Sequence, residues 1–212
     1  MKKNYFWVKK TRMNIHPTSY SILQSDREKL NTHQSFVIWL TGLSGSGKSS
    51  IAQQIERDLH QQKTHCFPLD GDNIRTGLNS DLSFSNEDRS ENIRRIAEVS
   101  KLIMQSGSIV IVSFISPFEK DRMIAKEIIG RDQFIEIFID TPLIICKSRD
   151  PKGLYKKVNN GEIKNFTGID SPYEKPTNPD LIVTTEGKSI QKCVDEILNF
   201  VSLSFKTTKT NF

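Results

Sequence analysis

An apolar run, Phe36-Val37-Ile38-Trp39-Leu40-Thr41, passes without a break into Gly42-Leu43-Ser44-Gly45-Ser46-Gly47-Lys48-Ser49. Beyond it Ile51, Ala52, Ile55 and Leu59 recur at helical spacing. A buried strand, a glycine-rich turn and a helix in this order constrain the fold more than any other feature. They make the GxxxxGK[ST] phosphate loop, whose backbone N–H groups turn inward to cradle phosphate oxygens. The helix N-terminus adds partial positive charge, Lys48 reaches the terminal phosphates, and Ser49 is placed to ligate Mg²⁺. This context favours a nucleotide site over a purely structural glycine turn.

The rest of the chain repeats the alternation. Residues 66–69, 109–114, 134–139 and 181–184 read as further strands, the first weakened by Pro68. Residues 86–106 read as a long helix with Ile93, Ile96, Ala97, Ser100 and Ile103 on one side and Gly107 as its stop. Ile190, Cys193, Val194, Ile197, Leu198 and Val201 mark a last amphipathic helix. The expected fold is α/β, three-layered, with a five-stranded, mostly parallel sheet covered by helices on both faces. One stretch breaks the rhythm. Residues 150–180 hold Pro151, Gly153, Gly161, Gly168, Pro172, Pro176, Pro179 and five lysines, which suggests a mobile lid. The expected division is a basic tail at 1–13, one domain at 14–204 and a C-terminal tail at 205–212.

Net charge is +5, but residues 1–35 carry all of it and residues 36–212 balance. A charged leader is more often a solvated tail than a nucleic-acid arm, so no nucleic-acid partner is expected. No stretch approaches the ~20 apolar residues of a membrane span. Cys66, Cys146 and Cys193 are odd in number and widely spaced, which argues against a disulfide framework or zinc site. A cytoplasmic protein with buried thiols is the expectation.

Other features narrow the phosphate chemistry. There is no Asn-Lys-x-Asp guanine reader, and the fourth strand runs into Ile139-Asp140-Thr141-Pro142 rather than Asp-Glu, so neither a GTPase switch nor a hydrolytic ATPase fits. The second strand ends in Asp70-Gly71-Asp72-Asn73-Ile74-Arg75. Two carboxylates and a guanidinium thereby fall at the carboxyl edge of the sheet, where open α/β folds bind ligands. They are suited to holding Mg²⁺ through its waters and orienting an acceptor hydroxyl, with a turn and an Asp72 helix cap as the plainer reading.

These segments together resemble the adenylylsulfate kinase family. The resemblance rests on residues 42–49 and 69–75, on Glu87-Asp88-Arg89-Ser90-Glu91-Asn92-Ile93-Arg94-Arg95, and on Phe114-Ile115-Ser116-Pro117-Phe118. It continues through Asp150-Pro151-Lys152-Gly153-Leu154-Tyr155 and residues 164–173, and includes Asn14-Ile15 and residues 26–31. It implies a P-loop kinase that moves the terminal phosphoryl of ATP to the 3′-hydroxyl of adenylyl sulfate, with Mg²⁺, in sulfate assimilation, as a homodimer. It implies ATP contacts from Gly42, Leu43, Ser44, Gly45, Ser46, Gly47, Lys48 and Ser49, with Ser49 and Asp70 at the metal. Lys48, Asp70 and Ser116 become the catalytic candidates. Asp72, Arg75, Arg89, Asn92 and Ser116 become acceptor contacts, Phe84 and Phe166 sandwich the adenine, and Lys164 and Lys152 are lid charges. The family credits the serine at position 116 with phosphorylation, but direct in-line transfer suffices physically. Glu119 stands where a basic residue is usual. On the residues alone, Arg94 and Arg95 read as an ion-paired face and Phe84 as a core residue. Two other readings share the loop: a kinase for another hydroxylated metabolite, and a catalytically idle relative. The aromatic pair with its arginines argues against the first, and intact Lys48, Ser49 and Asp70 against the second.

Overall fold

The computed structural model describes residues 16–206, without the side chains of the last two. The basic tail expected at 1–13, the resembling Asn14-Ile15 and residues 207–212 lie outside the described residues. The apolar runs form β1 (Val37–Thr41), β2 (Cys66–Asp70), β3 (Ile109–Ser113), β4 (Phe134–Asp140) and β5 (Leu181–Thr184). They lie in one sheet in the order β2-β3-β1-β4-β5. Every neighbouring pair is parallel, so the sheet is wholly rather than mostly parallel. Pro68 is accommodated because β2 is an edge strand, where a missing N–H leaves no ladder bond unmade.

The helices are α1 (Gln24–Asn31), α2 (Lys48–Gln61), α3 (Gly71–Arg75), α4 (Asn86–Gln105), α5 (Glu119–Ile129), α6 (Leu143–Arg149), α7 (Leu154–Asn159) and α8 (Ile190–Lys206). The boundary expected at residue 204 therefore falls inside α8. Alternation along β1 divides the core. Ile38 and Leu40 pack with Ile51 and Ile55 of α2 and Val194 and Ile197 of α8. Val37 and Trp39 face the other layer, with Ile93 and Ile96 of α4 and Ala125 of α5. Ile190, in the first turn of α8, is exposed instead of joining that stripe. The Ser85 hydroxyl starts α4 by accepting from the Asp88 N–H at 3.1 Å. All three cysteines are free.

A third, smaller apolar cluster lies over the phosphate loop. Cys146 of α6, Tyr155 of α7 and Phe166 form it, with Leu43 and Leu143 packed alongside. The segment 150–180 is thus divided. Residues 173–180 are strapped to the sheet: Tyr173 Oη lies 3.0 Å from Thr41 Oγ1, the Glu174 N–H donates to the Pro117 carbonyl, and the Asp180 N–H donates to the Glu136 carbonyl. The last residues of the segment expected to form a lid, from Tyr173 on, are thus bonded to the sheet and its flanking turns.

Candidate active site

Because the strands are parallel, the carboxyl ends of β1, β2 and β3 bring the phosphate loop, Asp70 and the Ser113–Ser116 turn to one edge. Gly45 has φ +75°, and a Cβ there would meet the Cys146 carbonyl at 2.8 Å, so only glycine fits the loop against α6. Lys48 is 7% exposed and folds back on the loop, donating to the Gly42 and Leu43 carbonyls at 2.8 and 2.7 Å. Burial pushes its pKa down from the usual 10.5 to about 8. No carboxylate lies within ion-pair distance of it among the described residues. A cation held this way is poised for an anionic ligand.

Ser49, in the first turn of α2, donates to Asp70 Oδ2 at 2.7 Å. Asp70 also caps α3, accepting from the Asp72 N–H at 3.0 Å. The cap of that helix is therefore Asp70 and not Asp72. Asp72 instead pairs with Lys152, joining α3 to the turn between α6 and α7. No group of three or more His, Cys, Asp or Glu suited to a metal occurs among the described residues. One hydroxyl and one carboxylate side by side next to a phosphate loop fit Mg²⁺, which keeps several waters and takes its other ligands from phosphates.

Among the acceptor candidates, Arg75, Phe84 and Arg89 meet one another. Arg75 donates to the Leu82 and Ser83 carbonyls, both at 3.1 Å, and its guanidinium lies 4.4 Å from the centre of the Phe84 ring. Phe84 is 62% exposed, so the core reading of that residue is wrong: its ring is a surface platform beneath a cation. Arg89 is buried and donates from Nε to the Phe84 carbonyl at 2.9 Å and from Nη2 to the Asn165 carbonyl at 2.6 Å. Its Nη1 donates to Thr167 Oγ1. Neither Arg75 nor Arg89 is ion-paired with a carboxylate among the described residues. Burial lowers both pKa values, and the Arg75 charge lowers that of Arg89 further. Asn92 is buried and accepts from Asn79 Nδ2 at 2.9 Å, which leaves its own amide N–H groups free of that bond.

Phe166 is 9% exposed and meets Tyr155 edge to face, with ring centroids 5.0 Å apart. Phe84 and Phe166 do not stack on each other. Arg89 connects the two positions, reaching the Phe84 ring at 5.9 Å and the lid residues on both sides of Phe166. Lys164 is exposed on the lid. Arg94 and Arg95 form the ion-paired face expected of them, with Glu91, Glu98 and Asp81 as partners.

Ser116, named among the catalytic candidates, lies in the wall of the site. It is 1% exposed, its Oγ accepts from Trp39 Nε1 at 3.0 Å, and Arg122 Nη1 holds its carbonyl at 2.7 Å. Its φ of +46° is unusual for serine and turns the chain away from β3. Its hydroxyl is engaged with a core tryptophan and packs into that wall. Glu119 accepts from Thr177 Oγ1 at 3.0 Å, so it anchors the strap rather than facing an anion.

Three residues escaped the sequence reading. Arg149 reaches Thr185 Oγ1 at 2.9 Å and lies over the Ser46 carbonyl at 3.4 Å. Tyr155 donates to the Ser44 carbonyl at 2.9 Å. Asn79 orders Asn92. No local sequence pattern singles out the role of any of the three.

A model of the adenylylsulphate kinase family matches residues 34–184. An adenylyl-sulfate kinase of Oceanobacillus iheyensis is 51% identical over 188 residues, covering 89% of this chain and 94% of that protein. Among solved structures, the Mycobacterium tuberculosis APS kinase CysC in complex with AMPPNP and APS superposes with a TM-score of 0.77. It is 47% identical and covers 80% of this chain and 98% of its own. A hexameric APS kinase from Thiobacillus denitrificans superposes with a TM-score of 0.62 at 27% identity. That match covers 84% of this chain but 31% of the other.

Proposed function

The chain belongs to the adenylylsulfate kinase family, and from that premise we propose how its own residues carry out the reaction. It transfers the γ-phosphoryl group of ATP to the 3′-hydroxyl of adenylyl sulfate, giving 3′-phosphoadenylyl sulfate and ADP. The 3′-oxygen attacks phosphorus in line and gives up its proton to solvent, the bond to the β–γ bridging oxygen breaks, and ADP leaves with that electron pair. Little covalent work falls to the protein, so positioning and charge neutralisation carry the catalysis.

The N–H groups of Gly42, Leu43, Ser44, Gly45, Ser46 and Gly47 hold the donor phosphates. Lys48 exchanges its loop carbonyls for phosphate oxygens and stabilises charge spreading over the transferred group. Ser49 and Asp70 would hold Mg²⁺, which would supply Lewis-acid charge neutralisation at the donor phosphates. Asp70 also orients the acceptor hydroxyl. Arg75 and Arg89 take the anionic groups of adenylyl sulfate, Phe84 and Phe166 flank its adenine, and Asn92 donates to it. Lys152 and Lys164 add positive charge from the lid, and Asp72 latches that lid through Lys152. Ser116 positions the wall and is not a covalent carrier.

The observation carrying the acceptor assignment is the pair of guanidiniums, without carboxylate partners, beside the exposed Phe84 ring. A neutral sugar acceptor would need neither the ring nor two cations. We place the reaction in sulfate assimilation in the cytoplasm and infer a homodimer; no described helix is long and apolar enough to cross a membrane. The test is coupled ADP release with adenylyl sulfate, adenosine, AMP and gluconate as acceptors, beside sedimentation for the dimer. Turnover only with adenylyl sulfate is expected; comparable turnover with gluconate or AMP refutes the acceptor assignment.

A further inference from the structure

We propose that Tyr155 is a positioning residue that couples occupancy of the phosphate loop to the seat of Phe166, so that donor and acceptor bind cooperatively. The proposal rests on the reading above that Phe166 faces the acceptor.

Tyr155 joins the two half-sites with its two ends. Its hydroxyl donates to the Ser44 carbonyl in the middle of the phosphate loop at 2.9 Å. Its ring packs edge to face on Phe166. A trans peptide carries its C=O and N–H on opposite sides. A bond that fixes the Ser44 carbonyl towards α7 therefore turns the Gly45 N–H away from α7 and sets the orientation of that peptide in the loop. The phenol is buried, and burial raises its pKa, so the hydroxyl stays a donor at any working pH.

The link is stiff. Asp150 accepts from the Tyr155 and Lys156 N–H groups at 3.1 and 3.0 Å and so fixes the start of α7. A second contact runs beside it: a Cβ on Gly168, whose φ is +87°, would meet Leu43 Cδ2 at 2.7 Å. Residues 155 and 168 thus approach the loop at consecutive residues, Ser44 and Leu43, which gives a displacement of the loop a direct route to the segment that carries Phe166. Donor phosphates that order the 44–45 peptide also order Tyr155 and, through it, Phe166. Coupling of this kind is reciprocal: an acceptor that seats Phe166 tightens the donor site equally.

Calorimetric titration of adenylyl sulfate, with and without a non-hydrolysable ATP analogue, tests this on the full chain and on Tyr155→Phe, which keeps the ring and removes the hydroxyl. In the wild type the analogue is expected to tighten acceptor binding at least ~5-fold, the lower end of typical site-to-site coupling. In Tyr155→Phe the ratio should fall at least about twofold below the wild-type value, with acceptor affinity in the absence of nucleotide nearly unchanged and the thermal midpoint lower by roughly 2–4 °C for the one hydrogen bond lost. A variant that keeps the wild-type ratio overturns the proposal. So does one that loses both affinities equally, since that is what a merely supporting residue would do, and so does a wild-type ratio of unity. Phe166→Ala titrated in parallel separates the failures: undiminished acceptor binding there removes the acceptor reading itself, independently of the Tyr155 result.

Discussion

Lys48→Met should make the ligand-free protein more stable at neutral pH while abolishing its activity. Lys48 is buried without a carboxylate partner, and its pKa falls from 10.5 to about 8. At ~1.4 kcal/mol per unit, keeping the ammonium charged at pH 7 costs about 3 kcal/mol. Methionine keeps the apolar stem and gives up two hydrogen bonds to the Gly42 and Leu43 carbonyls, worth about 1 kcal/mol each. The variant should gain about 1 kcal/mol, or roughly 2–4 °C in thermal midpoint for a chain of this size.

The pH dependence is the sharper readout. Between about pH 8 and 10.5 the unfolded chain keeps the Lys48 proton and the folded state does not. Wild-type stability relative to the variant therefore rises with pH in that window, by ~1.4 kcal/mol per unit. The advantage of the variant should vanish near pH ~9 and reverse above it, since other titrating groups are common to both chains. Urea unfolding from pH 7 to 10, without nucleotide, measures the difference directly. Parallel stability curves, or a variant less stable by 1 kcal/mol or more (about the worth of one hydrogen bond) at pH 7, would refute the reasoning.

Four further substitutions probe the roles assigned above. Ser116→Ala should lose about 1 kcal/mol of stability with the Trp39 hydrogen bond and keep turnover within about tenfold; turnover at background would restore an obligatory phosphoserine. Phe166→Ala should weaken adenylyl sulfate by about 1–3 kcal/mol with a much smaller effect on ATP, and equal losses would mark it as packing alone. Arg75→Met should raise the KM for adenylyl sulfate at least ~10-fold, as loss of one charge-assisted contact predicts, and should flatten its dependence on salt. An unchanged KM removes Arg75 from the acceptor site. Asp70→Asn should lower turnover at least ~100-fold and raise the Mg²⁺ needed for half-maximal rate; an unaltered Mg²⁺ requirement would mean that the metal is held elsewhere.

What could be read without the structure followed from short-range rules. Periodicity separates strand from helix within a few residues. The glycine spacing before Lys48 implies a phosphate loop whatever surrounds it, because only the backbone and one cation are needed. All five strands and the apolar faces of α2 and α4 were legible for that reason. Long-range packing decided the remainder. Phe84 is an apolar residue that would suit a core, and only its exposure, with the Arg75 and Arg89 guanidiniums over its ring, makes it a platform. Ser116 sits in a motif that suggests chemistry, yet Trp39, 77 residues away in sequence, claims its hydroxyl. Tyr155 carried no signal, since its partner is a backbone carbonyl 111 residues distant and carbonyls are alike in every sequence. The sequence by itself determined which residues bring charge and hydrogen-bonding groups to this site. Which of them face the ligand, and which hold the others in place, was decided by burial, because a polar group excluded from water must take the partner that the fold sets beside it.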